Sequence, residues 1–192
     1  MVNIGIFASG SGSNFENLVL ALEDGRGEGY SVKFLFSDKK NSYALERAKK
    51  LGIERVCIEL KDCLNKEEYE KKILEKLEKE NVQLIVLAGY MKIISSALLQ
   101  KYENRIINIH PSYLPNYQGK DAIKRAFLEK NKETGITIHY VDEGVDTGSI
   151  IYQEKIQIEN IKTLKEVEEK IHQLEHEIYP KVLTRLCQGE IK

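Results

Sequence analysis

The sequence predicts an α/β fold: an open, mostly parallel, twisted sheet of Rossmann-like type, with an antiparallel C-terminal strand pair and a long C-terminal helix. Three observations predict it. Short apolar runs alternate with helix-spaced segments from Val2 to Lys101, the pattern of βαβ units. From Thr134 onward the pattern changes to strict alternation, T-G-I-T-I-H-Y-V, and it returns from Ile150 to Ile158. Thr163 followed by Glu166 then opens a long helical stripe of Val167, Ile171, Leu174 and Ile178.

The elements run in order along the chain. Val2 to Ala8 is a short apolar run closed by Gly10 and Gly12, a buried strand. Ser13 with Glu16 has capping-box form, so a helix starts at Ser13 and runs through Leu18, Leu20 and Leu22. Val32 to Phe36 is the second strand, and Ala44, Leu45, Ala48 and Leu51 form a helix stopped by Gly52. Arg55 to Ile58 is a third strand. Tyr69, Ile73 and Leu77 lie on a charged helix entered through Asn65 and Glu68. Leu84 to Ala88 reads as a strand buried on both faces. A helix near Ser95 to Lys101 leads to a fifth strand, Ile106 to Ile109, ending at His110. The loop E-G-V-D-T-G-S joins the two alternating strands as an antiparallel pair, and Pro180 should kink the last helix. No repeat or linker interrupts residues 1–192, so one domain is expected.

Composition excludes several classes. At 31% charged residues, 42% apolar residues and a net charge of -1, no global field collects nucleic acid. No apolar run reaches the length of a membrane span. The scattered Cys57, Cys63 and Cys187 have no zinc-like spacing, so no metal is expected, and they suit a cytoplasmic chain.

Three segments fall at strand ends, where ligands gather in such sheets. In S-G-S-G-S-N, from Ser9 to Asn14, paired glycines open a helix. This is either a flexible turn with a cap or a phosphate site, and the coincidence of strand, glycines and cap favours phosphate. A dinucleotide fingerprint would need a third glycine at Phe15, although Asp38 after the second strand keeps a nicotinamide-dependent enzyme in play. In N-I-H-P-S-Y-L-P, Asn108 and His110 point to one face of a strand, and two of the chain's three prolines stiffen the strand exit. Two donors on one face suit an oxyanion. Asp146 lies in a loop rich in Asp and Gly, readable as a plain turn or as a carboxylate folded over that face.

These segments, with L-A-G-Y-M-K-I from Leu87 to Ile93, T-G-I-T-I-H-Y-V-D-E-G-V-D-T-G-S-I-I from Thr134 to Ile151 and L-E-H-E-I-Y-P from Leu174 to Pro180, carry a resemblance across essentially the whole chain. The chain resembles the folate-dependent formyltransferases, in the branch that formylates glycinamide ribonucleotide. The octet and the D-E-x-x-D-x-G loop are shared with other formyltetrahydrofolate enzymes, including a deformylase, which is the alternative. The resemblance implies formyl transfer from 10-formyltetrahydrofolate to the amine of 5'-phosphoribosylglycinamide in purine biosynthesis. It implies an oxyanion held by Asn108 and His110, and Asp146 shuttling the proton and keeping His110 charged. Gly12, Ser13 and Asn14 would take the phosphate and Glu175 the sugar hydroxyls. The pterin would lie against Tyr90, Met91, Lys92 and Ile93 and the loop of Val141, Asp142, Glu143, Gly144, Val145 and Asp146, with Asn108 alongside. Lys66 would meet the folate tail, and His139 either supports the cluster or is a plain strand histidine. Lys66 and Lys92 stand where the family often has arginine, and Ser149 where it usually has proline. The Leu114–Pro115 bond is expected to be cis. Partners are small molecules only, with a monomer or homodimer expected.

Overall fold

The computed structural model describes residues 1–191. Its strands are β1 (Val2–Phe7), β2 (Tyr30–Ser37), β3 (Glu54–Cys57), β4 (Leu84–Leu87), β5 (Ile106–His110), β6 (Glu133–Tyr140) and β7 (Ile150–Gln157). The helices are α1 (Ser13–Glu23), α2 (Tyr43–Lys50), α3 (Lys66–Lys79), α4 (Ser96–Lys101), α5 (Ala122–Leu128) and α6 (Leu164–Cys187). They build a 7-stranded sheet in the order β3-β2-β1-β4-β5-β6-β7. Strands β1 to β5 pair in parallel; β6 is antiparallel to both β5 and β7. The order reverses between β1 and β4, which puts a crevice beyond their carboxyl ends.

Alternation along the strands sorts the core into two layers. Ile4, Ile6, Leu84, Val86, Ile107, Ile109, Ile136 and Ile138 pack with α1, α2, α5 and α6. Phe7, Phe34, Phe36, Ile85, Leu87 and Ile106 pack with α3 and α4 on the other face. Each fully buried side chain of this size contributes about 1.5–3 kcal/mol. By the same alternation Asn108 and His110 share the second face with Ile106.

Two expectations change. Helix α1 starts at Ser13, but its N-cap is Gly12 at φ 73, with no side-chain cap. Glu16 pairs with Arg47 of α2 instead of closing a capping box. Helix α5 is an addition to the expected elements; it is 7 residues long and entered through Asp121 at φ 57 without a side-chain cap, so neither period nor cap announces it. Helix α6 runs through Pro180 as one 24-residue helix. Pro180 has no N–H, so the carbonyl of His176 loses its helical donor. The Asn17 amide of α1 donates to that carbonyl at 2.8 Å. The α6 capping box of Thr163 and Glu166 forms as expected, and the Leu114–Pro115 bond is cis.

Candidate active site

A cavity of about 630 Å³ lies at the switch point, a volume typical of small-molecule sites. Its first wall is the turn from β1 into α1. Gly12 adopts a left-handed φ of 73°, and a Cβ there would lie 2.5 Å from Ala44 Cβ, so glycine is required on two counts. The Gly10 carbonyl is held by Ala44 N–H at 3.1 Å and by the Ser42 hydroxyl at 3.0 Å. The turn is therefore anchored to α2, while the first N–H groups of α1 have no helical acceptor and carry the positive end of the dipole.

The opposite wall is made of side chains. Pairing of β5 with β6 sets Asn108 opposite His139. Tyr140 O lies 2.7 Å from His139 Nδ1 and can only accept, so that nitrogen carries the proton. His139 Nε2 then accepts from Asn108 Nδ2 at 3.2 Å. Asp146, at φ 55, turns its carboxylate back into this group. Its Oδ2 accepts from Gly119 N–H at 2.8 Å and lies 3.3 Å from His110 Nδ1; its Oδ1 is 3.5 Å from both Asn108 Nδ2 and His139 Nε2. His110 Nε2 donates to the Tyr117 carbonyl at 2.8 Å.

Burial pushes His110 below its ordinary pKa, and the Tyr117 carbonyl and Asp146 do not make up the difference. Burial therefore works against the charged form that Asp146 was expected to favour, while Nε2 is fixed as a donor by the Tyr117 carbonyl. Burial also pushes the Asp146 carboxyl up, but the contact with His139 when it is protonated, the Gly119 N–H and the charge of a protonated His110 outweigh it and leave it below the usual carboxylate range. His110 Nδ1 and the Asp146 carboxylate face each other at 3.3 Å, close enough to share one proton.

Between the walls stands Glu175 of α6, 4% exposed. Its Oε2 accepts from Asn14 Nδ2 at 3.1 Å and from His172 Nδ1 at 2.9 Å. The Glu175 carboxylate raises the His172 pKa above the ordinary value, against the effect of burial. Asn14 Oδ1 is buried without a protein partner, a free acceptor beside the cavity.

The cavity lining joins Gly12, Ser13, Asn14, Tyr90, Met91, Lys92, Ile93, Asn108, His110, His139, Val141, Asp142, Gly144, Val145, Asp146 and Glu175. Lys66 is not among them; it sits at the start of α3, 3.6 Å from Glu70, with its side chain 72% exposed. Glu143 is exposed outside the lining. Residue-by-residue reasoning missed His172, Gly119 and the Tyr117 carbonyl. Spacing of three from Glu175 on one helix could have flagged His172; nothing local marks the other two. Among the described residues no group of three or more His, Cys, Asp or Glu is placed to hold a metal, and no helix is long and apolar enough to cross a membrane.

A helix N-terminus facing an Asn/His/Asp cluster across a switch-point cavity has the make-up of a group-transfer site on an α/β sheet. The chain belongs to the formyl transferase family, which it matches over residues 2–183. It is 46% identical over 186 residues to phosphoribosylglycinamide formyltransferase of Bacillus subtilis, covering 97% of this chain and 95% of that one. It is 38% identical over 190 residues to the trifunctional purine biosynthetic protein adenosine-3 of Chironomus tentans, covering 98% of this chain and 14% of that protein. The crystal structure of glycinamide ribonucleotide transformylase 1 from Geobacillus kaustophilus superposes with a TM-score of 0.93 at 42% identity, covering 97% of this chain and 99% of that chain.

Proposed function

We propose that this chain transfers the formyl group of 10-formyltetrahydrofolate to the amine of 5'-phosphoribosylglycinamide. One observation carries the reading: the α1 N-terminus and the Asn108/His110/Asp146 cluster line a single cavity. A phosphorylated amine anchored at one end thereby reaches an acyl-transfer centre at the other. The N–H groups of Gly12, Ser13 and Asn14 take the phosphate. Glu175 takes sugar hydroxyls, and the unpartnered Asn14 Oδ1 supports this, because it accepts from a hydroxyl but not from a phosphate oxygen. The pterin lies against the Tyr90 to Ile93 and Val141 to Asp146 segments, whose exposed Met91, Ile93 and Val145 suit a flat ring. Lys66 meets the acidic tail outside the cavity.

The substrate amine attacks the formyl carbon, and the new C–N bond forms as the carbonyl pair moves onto oxygen. Asn108 donates to that oxygen: its N–H toward Asp146 spans 3.5 Å, long for a hydrogen bond and readily redirected. His139, by accepting the other N–H, keeps the amide turned the right way. The nitrogen's proton passes to the His110–Asp146 pair and from there to the folate nitrogen as its bond to the formyl carbon breaks. The amine is itself the nucleophile, so no covalent enzyme intermediate is needed.

The test mixes purified protein with formyl folate, alone and with candidate amines, and follows loss of the formyl group. Turnover should require the ribonucleotide and yield its N-formyl product. Formate release without any amine would favour the hydrolase reading. Asp38 no longer supports a nicotinamide site, because its side chain is 1% exposed and engaged by Ser9 and Lys92.

A further inference from the structure

Asp38 is a buried acid with no part in the chemistry above. It follows β2, and Ser9 Oγ donates to its Oδ1 at 2.6 Å. Ser9, following β1, also accepts the Met91 N–H at 2.9 Å through the same oxygen. Lys92 Nζ lies 3.6 Å from the other Asp38 oxygen, and 5.1 Å from the centre of the Tyr69 ring. The Tyr69 hydroxyl is in turn 3.2 Å from that of Tyr90. The relay runs across three neighbouring strand ends, from β4 through β1 to β2.

Its direction is fixed by chemistry. A backbone N–H only donates, so Ser9 must accept from Met91. The hydroxyl then has one proton left, and a carboxylate only accepts. Asp38 locks the Ser9 rotor, and the rotor holds the Met91 N–H inward, away from the cavity. The Asp38–Lys92 contact draws a second residue of the same loop toward the sheet. Met91 and Lys92 lie just beyond Gly89, which starts the loop at φ 79, so a short segment is fixed at both its backbone and a side chain.

We infer that Asp38, acting through Ser9 and Lys92, is the positioning residue that fixes the Met91–Lys92 loop for the folate. The inference rests on the reading that the pterin lies against this loop. Its consequence is specific: the Met91 N–H makes no contact with the ligand, and the loop's contacts come from its other backbone groups.

The experiment pairs kinetics with amide exchange on the full chain, using Ser9→Ala, Asp38→Ala and the milder Asp38→Asn, each checked for a cooperative thermal transition. Asp38→Asn keeps an acceptor for Ser9 and loses the Lys92 contact. Expected are a roughly tenfold rise in the formyl folate KM for the two alanine variants, a smaller rise for Asp38→Asn, and a ribonucleotide KM within about twofold of wild type. The Met91 amide should exchange slowly in the wild type and fast in Ser9→Ala. Loss of Met91 protection with an unchanged folate KM would overturn the inference, as would equal rises in both KM values. Failure of the underlying reading has a separate signature: formyl folate would then leave the wild-type amides of Lys92 and Ile93 unprotected.

Discussion

The parallel and antiparallel halves of the sheet meet the cavity with different parts of the chain. From β1 and β4 come turns that present backbone: the Gly10 to Asn14 segment and the Tyr90 to Ile93 segment. From β5, β6 and the loop before β7 come side chains: Asn108, His110, His139 and Asp146. The difference follows from strand geometry. Parallel strands end together at the switch point and feed helices, whose first N–H groups are free. Antiparallel neighbours set side chains directly opposite each other, as Asn108 faces His139, so polar groups can be wired across strands. A backbone site is sensitive to added bulk and indifferent to most side-chain chemistry; a wired side-chain site is the reverse.

Asp146→Asn should break the wired half most severely. Asparagine tolerates the left-handed φ of 55° at this position, so the loop keeps its shape. The chemical step should slow by a factor on the order of a hundred or more, while dissociation constants for both substrates change little. Titrations paired with single-turnover rates decide the matter; weak binding with normal turnover at saturation would make Asp146 a binding residue only.

Gly12→Val attacks the backbone half. Its Cβ would meet Ala44 and its φ of 73° disfavours any β-branched residue. The ribonucleotide KM should rise roughly tenfold or more, on the scale of a lost charge-assisted contact, with formyl folate binding unaffected. Steady-state kinetics with each substrate varied would expose the error if both rise together.

The pH profile sharpens the wired half further. His110 must be neutral to accept a proton, and burial holds its pKa below 6.5. The rate should therefore be full above that value and fall as pH drops through the lowered pKa. Asp146 raises the His110 pKa in the wild type, so Asp146→Asn should move the acid limb of kcat/KM to still lower pH. An acid limb above 6.5, or one unmoved by the substitution, would contradict the assignment.

The smallest effect belongs to Lys66, which is exposed and lies outside the cavity. Lys66→Ala should raise the formyl folate KM about two- to threefold, and added salt should erase the difference. An effect confined to the ribonucleotide would place Lys66 elsewhere.

Much of this was legible in the sequence, for identifiable reasons. Strand β4 is buried on both faces and so reads as an unbroken apolar run. Asn108 and His110 stood out because period-two geometry forces them onto one face. Other features depend on contacts distant in sequence. The Ser13 to Glu16 spacing suggested a capping box, yet Arg47, 31 residues on from Glu16, takes the carboxylate. The balance at His110 could not be read locally, because burial by the assembled fold opposes its Asp146 neighbour. Glu175 looks like any helix acid until α1 brings Asn14 against it from 161 residues away.

Pro180 has a consequence for anyone redesigning this chain for heat resistance. By propensity alone, alanine in place of an internal helix proline is an obvious improvement. Here the proline leaves the His176 carbonyl open, and Asn17 is keyed into it at 2.8 Å. Asn17 lies one turn beyond Asn14, and His176 directly follows Glu175, so this key sets the sliding alignment of α1 on α6. Restoring the helical N–H would offer the carbonyl a competing donor and let the two helices drift by fractions of an ångström. The affected pair would be Asn14 and Glu175, so a substitution chosen for stability would be read out in the hydrogen bond that joins the two helices beside the cavity.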